Sequence, residues 1–404
     1  MAAAHNRART HRPGFLTGLS LLIPITLSTM AIVLLAPILP RMMEEFRQGP
    51  HADYWVPLVL TFPAICIALL SPVAGMLGDY FGRRRLLLCS FLGYAVVGIA
   101  PLFLVSLPAI LASRVLVGVF EALIMVLTTT MIGDYFDGPA RDKWLAAQAA
   151  TASLSALLFF NIGGQLGAFG WRTPFWIYLS ALAMFAMVLR FTWEPAEENA
   201  ASEADHAPHH ASWAHFPLAR FVPVLLVTIY SSVFFYTVQI QASVGLAQLG
   251  LTDPARIGFL TSIASVGVPL GTVVYSRSGL KDPRWLLLIE MVMLCTGFLV
   301  MARAQGPTPF LVGCFINQLG AGMLLPTLLV WAMGLLAFEV RGRGSGLWQG
   351  ALAVGQFLCP VVVTYLANRF GGLFAAFGCL AVGAGAGAVV ALATLAWQRK
   401  PAAA

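Results

Sequence analysis

Few side chains in this 404-residue sequence could carry a proton or a charge away from water, and Glu121 and Arg114 are the clearest. Both lie inside one long apolar run, where an ionisable residue costs ~2.5–3.5 kcal/mol on insertion scales and so needs a reason. They are seven residues apart, nearly two helical turns, and point to one face of a helix. Gly118 lies between them and leaves room for a neighbouring helix or a ligand. Burial disfavours an ionised carboxylate, and a nearby cation favours it. Two readings follow. Glu121 takes up and releases a proton as its surroundings alternate, or it is a fixed charge held by a polar partner on the first or fifth apolar run. Glu290, a few residues into another run and near Arg284, reads as half of a structural ion pair.

Other chemistries are excluded residue by residue. Four of the seven histidines, His206, His209, His210 and His215, fall in the polar stretch EPAEENAASEADHAPHHASWAH, and none lies in an apolar run. That stretch reads as a solvated linker rather than a metal site. The six cysteines (Cys66, Cys89, Cys295, Cys314, Cys359, Cys379) all sit in apolar runs and read as small buried hydrophobes. No phosphate loop of Gly-x-x-x-x-Gly-Lys type is present. No nucleophile, metal centre or cofactor is therefore expected.

The elements that hold these residues are membrane helices. The chain is 59% hydrophobic and 10% charged, where a soluble domain carries roughly 25% charged residues. Periodicity and breakers predict twelve spans, at about 15–39, 54–77, 86–106, 108–132, 144–168, 173–192, 220–248, 255–276, 285–303, 308–336, 344–369 and 372–397. With the N-terminus placed inside, inner segments hold 17 Lys and Arg against six outside, which predicts an even span count and both termini in the cytoplasm. The net charge of +7 belongs to short loops, so no nucleic-acid partner is expected. The first run lacks a cleavage site and is expected to stay as a start-transfer helix. Short outer loops and the lack of an Asn-x-Ser/Thr acceptor fit a bacterial inner membrane.

The predicted division is an N-terminal tail (1–14), a six-helix bundle (15–192), a cytoplasmic linker (193–219) with the composition of disorder, a second bundle (220–397) and a C-terminal tail (398–404). The halves repeat weakly. The loop at 75–85 matches 271–284, and 134–143 matches 339–343, each of the latter followed by an early glutamine, Gln148 and Gln349. Paired six-span repeats are the build of a transporter. No filter-like repeat suggests a channel.

Between the second and third spans stand Gly75, Asp79, Gly82, Arg83 and Arg84, the pattern Gly-x-x-x-Asp-x-x-Gly-Arg-Arg. This resembles the signature loop of the major facilitator superfamily, with Tyr80 where the family prefers a basic residue. The resemblance covers nearly the whole chain. It implies an all-α integral membrane fold of twelve transmembrane helices in two pseudo-symmetric six-helix bundles. It also implies that Asp79 clasps the two halves in one conformation and releases them in the other. Arg83 to Arg85 read equally as topology anchors.

Arg114-x-x-x-Gly118 resembles the fourth-span motif of proton-coupled members, in which the arginine is associated with proton transfer. By the same resemblance the substrate cavity would be lined by Asn161, Gln165, Tyr230, Tyr236, Gln239, Gln241, Asn317 and Gln318, with Phe234, Phe235 and Trp331 as apolar walls. Each amide reads as readily as an interhelical hydrogen bond. Pro63, Pro72, Pro269, Pro326 and Pro360 are expected to kink their helices. Two departures stand out: span one has no acidic residue, and Phe159 and Phe160 replace the Gly-Pro that antiporters carry before Gly163-Gly164. The expected partners are a small-molecule substrate, protons and the lipid bilayer, and the expected state is a monomer. The function expected is proton-coupled efflux of a drug-like or siderophore-like compound. The alternatives are a proton symporter importing a small molecule or anion, with Arg114 as the anion contact, and a membrane-embedded enzyme or receptor, which has no candidate nucleophile.

Overall fold

The computed structural model describes residues 13–194, 216–280, 282–336 and 340–398. The histidine tract, most of the expected linker and of both tails, Lys281 and Glu339 lie outside the described residues. Among the described residues twelve helices are long and apolar enough to cross a bilayer, and no strand is present. They are α1 (Phe15–Glu45), α2 (Ala52–Phe81), α3 (Arg83–Leu102), α4 (Leu107–Tyr135), α5 (Gly138–Ala168), α6 (Thr173–Phe191), α7 (Leu218–Gln248), α8 (Pro254–Arg277), α9 (Pro283–Ala302), α10 (Pro307–Gly334), α11 (Arg343–Phe370) and α12 (Leu373–Ala396).

Every expected span is present, and local chemistry explains the shifted limits. α1 runs past its expected end at 39 to Glu45, because Pro37 and Pro40 enter in the first turns of short helical segments, where no amide hydrogen is needed. Gly82 reverses the chain alone at φ +87°, a conformation that costs glycine little. Arg83, Arg84 and Arg85 therefore form the first turn of α3 instead of a loop. α8 is interrupted at Val266, between Pro254–Ser265 and Gly267–Arg277. Pro269 explains this, since it lacks the N–H that would reach the Ser265 carbonyl. Pro63, Pro72, Pro326 and Pro360 lie inside continuous helices.

α3 lies against α4 and α6, and α9 lies against α10 and α12, so the two helices hold equivalent positions in the two bundles. The bundles meet through α5 with α8 and through α2 with α11. All the named contacts lie at the end opposite the Gly82 turn. A Cβ placed on Gly164 would stand 2.5 Å from the Pro254 carbonyl oxygen and 3.0 Å from Gly258 Cα, so only glycines let α5 and α8 come this close. Beside them Asn161 Nδ2 donates to Ser262 Oγ at 2.7 Å. Across α2 and α11, Phe62 meets Phe357 edge-on with centroids 5.5 Å apart. Asn368 Nδ2 donates to Asp53 Oδ2 at 2.5 Å, and Thr364 Oγ1 donates to the Asp53 carbonyl at 3.3 Å.

At the arginine end the same faces part. Leu69, Val73 and Met76 continue the α2 stripe that begins at Phe62, yet they are 68%, 40% and 63% exposed. On the facing helix, Gly346 and Gly350 have nothing within 4 Å of an added Cβ, and Gln349 is exposed. A cleft opens here between α2 and α11, sealed at the far end by the α5–α8 and α2–α11 contacts.

Candidate functional site

Glu121 lies mid-way along α4, with its side chain 1% exposed. One turn earlier, Gly118 presses on α2, where an added Cβ would stand 2.7 Å from both Cys66 Cβ and Pro63 Cα. The room that Gly118 leaves is thus filled by a helix. The contact sets Glu121 at the junction of α1, α2 and α4, where Ser28 of α1 presents its hydroxyl and Cys66 of α2 also faces the carboxyl. Ser28 is half-buried. Glu121 Oε2 is buried with no hydrogen-bond partner.

Arg114 does not join it. No ion pair links the two among the described residues, although they share a helix face. The guanidinium is wholly enclosed and turns toward α3 and α6. Its Nη2 donates to the carbonyls of Val97 (3.3 Å) and Gly98 (3.1 Å), and its Nε donates to Ser113 Oγ (3.3 Å). The rings of Phe175 and Tyr178 flank it at 5.1 and 5.0 Å. The cause is local: Pro101 has no N–H to offer Val97, and the last carbonyls of a helix lack intrahelical partners. A cation at this negative helix end answers both needs. Around the pair, Tyr94 Oη donates to the Leu27 carbonyl at 3.4 Å, while Tyr178 Oη and Arg114 Nη1 are buried without partners.

The signature turn is built differently from its expected clasp. Asp79 is 64% exposed and accepts from Arg83 Nη2 at 2.9 Å; Arg83 also pairs with Asp134 at the end of α4. Among the described residues Asp79 forms no ion pair with the second bundle, and the halves are parted at this end. Arg84 donates through Nη2 to the Leu189 carbonyl (2.9 Å) and through Nε to Thr192 Oγ1 (3.3 Å). Glu194 accepts from the backbone N–H groups of Arg84 (3.1 Å) and Arg85 (3.3 Å), capping the positive end of α3. A Cβ added to Gly75 would stand 3.9 Å from Val126, in ordinary contact.

The expected cavity residues divide. Gln239 and Gln241 of α7 are nearly buried, and among the described residues no hydrogen bond engages their amides. Tyr236 is half-buried beside Cys359 of α11. Asn161 is spent on the α5–α8 closure. Gln165 is exposed on the stripe of Leu154 and Leu158, about 100° from Gly164, and faces outward. Tyr230 donates to the Gly383 carbonyl of α12 at 2.5 Å and so faces the outer helix. Asn317 and Gln318 are fully enclosed, with Asn317 wedged against Gly297 of α9 and Gln318 against Gly267 of α8. Phe234 stacks toward Phe298 of α9, and Trp331 borders a small cavity near Arg284. In this conformation Gln165, Tyr230, Asn317, Gln318 and Phe234 do not line the cleft. Glu290 likewise forms no ion pair with Arg284; its partner is Thr327 of α10. The cleft residues Leu69, Val73 and Met76 escaped the sequence reading. Their spacing from Phe62 was visible, but apolar residues in an apolar helix carry no contrast.

A family model described as Major Facilitator Superfamily matches residues 21–252. The chain is 24% identical over 339 residues to the tetracycline resistance protein, class B, of Escherichia coli, covering 81% of each chain. It is 26% identical over 365 residues to the multidrug resistance protein MdtG of Enterobacter lignolyticus, covering 85% of this chain and 84% of that one. Among solved structures, a bacterial homolog to the human lysosomal transporter Spinster, in an inward-facing and unoccupied conformation, superposes with a TM-score of 0.78 at 16% identity, over 96% of this chain and 98% of that one.

Proposed function

The chain belongs to the Major Facilitator Superfamily and is a transporter, and on that premise we propose that it exports a small amphipathic organic compound in exchange for protons. In this reading it works as a monomer in a bacterial inner membrane, with both termini in the cytoplasm. The observation that carries the proposal is Glu121, a carboxyl enclosed at the junction of α1, α2 and α4 with one oxygen unpartnered and, among the described residues, no ion pair to a cation. Such a group is not locked in one charge state, so its protonation can follow the conformation around it. The relatives' printed names, tetracycline resistance and multidrug resistance, support efflux.

With the arginine turn in the cytoplasm, the cleft faces inward. Substrate enters between α2 and α11 along Leu69, Val73 and Met76, an apolar wall suited to an amphipathic molecule. Gln239, Gln241 and Tyr236 are the polar groups proposed to orient it. Glu121 gives its proton to the cytoplasmic side as substrate binds. The α5–α8 and α2–α11 contacts then separate, substrate leaves outward, and Glu121 is reprotonated from outside before the return. Import with Arg114 as the anion contact lacks a residue to carry it, since that guanidinium is enclosed and taken by the Val97 and Gly98 carbonyls.

The test uses purified protein in liposomes with an imposed pH gradient, probed with a tetracycline and a permanently charged lipophilic dye. Accumulation in an acid-loaded lumen, beyond protein-free liposomes, is the expected result. Accumulation in the compartment that protons enter would overturn exchange in favour of symport.

A further inference from the structure

The second bundle holds a fully buried carboxyl of its own. Glu290 of α9 is 0% exposed, and its Oε2 has no partner. Its polar contact is Thr327 of α10, whose Oγ1 lies 2.5 Å from Glu290 Oε1 and 3.0 Å from the Met323 carbonyl oxygen. A hydroxyl has one proton to donate. If Glu290 were ionised, Thr327 would face two acceptors with that single proton, and one contact would go unsatisfied. If Glu290 holds a proton on Oε1, both contacts become hydrogen bonds: the carboxyl O–H donates to Thr327, and Thr327 donates to Met323.

The surroundings favour the second count. α10 and α12, which pack on α9, carry no Asp, Glu, Lys, Arg or His among their described residues. Tyr275 of α8 is the titratable group that faces Glu290, and it is a phenol. Arg277 and Arg284 stand at the helix ends, and neither forms an ion pair with it among the described residues. An ionised carboxylate here would lose its hydration with no cation among the described residues to replace it.

A path to water lies one turn away. A cavity of about 220 Å³ is lined by Asp282, Pro283, Arg284, Leu287 and Trp331. Leu287 precedes Glu290 by three residues on α9, and Trp331 follows Thr327 by four on α10. Both steps run toward the arginine end of the molecule, so the cavity lies on that side of the Glu290–Thr327 pair, with Asp282 and Arg284 in its lining.

We propose that Glu290 is a proton-binding site of the second bundle, a neutral carboxylic acid hydrogen-bonded through Thr327 to the Met323 carbonyl, which exchanges its proton through the cavity past Leu287 and Trp331. The site stands apart from the assignment at Glu121 and survives if that assignment fails. Infrared spectra of the reconstituted protein at neutral pH, in H₂O and D₂O, test it. In wild type a protonated-acid carbonyl band is expected that shifts in D₂O, vanishes in Glu290→Gln and moves in Thr327→Val; Glu121→Gln removes any overlapping band. Filling the cavity with Leu287→Phe should slow the deuterium shift several-fold. Loss of carboxylate bands alone in Glu290→Gln, or an acid band that never shifts in D₂O, overturns the proposal. Should Glu290→Gln not fold, Thr327→Val decides: a moved acid band supports the site, and an unmoved one refutes it.

Discussion

Arg114 and Glu121 share a helix face, yet their side chains serve different neighbours. Helical spacing places two Cβ atoms correctly but says nothing of which partners compete for a long side chain. For Arg114 the winning partners are the Val97 and Gly98 carbonyls, freed at the end of α3. That signal was present in the sequence as Pro101, four residues after Val97, but it points to Arg114 only once α3 and α4 are known to be neighbours. Removing the guanidinium should be a stability defect before it is a coupling defect. Arg114→Ala removes the side-chain donor to the Val97 and Gly98 carbonyls, of which the buried Gly98 bond is worth about 1–3 kcal/mol, and removes packing against Phe175 and Tyr178. Thermal melting in detergent should fall by at least several degrees, with Arg114→Lys intermediate. If Arg114→Ala melts like wild type but loses proton flux, the structural role is wrong.

At the scale of elements, every span was readable because twenty apolar residues have few alternatives. The boundaries were less readable where one residue does the work of a loop, as Gly82 does between α2 and α3. The cavity list fared worst. Which amide faces a cleft, a neighbouring helix or lipid depends on helix rotation and partner identity, so Gln239 and Gln241 are buried while Gln165 is exposed and Tyr230 turns toward α12. The closure at the far end yields a prediction of its own. Gly164→Val places atoms into the Pro254 carbonyl, so α5 and α8 cannot seat and the sealed state is lost. Asp53→Ala removes the bond from Asn368, worth about 1 kcal/mol and so about a fivefold change in conformer ratio. Cysteine labelling from the far side should rise in both variants, more in Gly164→Val; unchanged labelling would mean these contacts do not hold the seal.

For the whole molecule, two bundles that touch at one end and part at the other imply a second state with the ends exchanged. Spin labels at Met76 and Gln349, on facing walls of the cleft, should approach when substrate and a proton gradient drive the cycle, while a pair at Asp53 and Asn368 separates. A single fixed distance at both ends under all conditions would refute alternation. Asp79 belongs to this scale as well: it is exposed in the present state, so its clasp on the second bundle is an expectation for the other state.

The most direct measurement is substrate-driven proton flux in proteoliposomes, compared between wild type and Glu121→Gln, with substrate binding measured on the same preparations. Flux lost in the variant while binding is retained is the result expected of a coupling carboxyl. Flux that persists unchanged in Glu121→Gln would contradict the account and reduce Glu121 to a buried structural group.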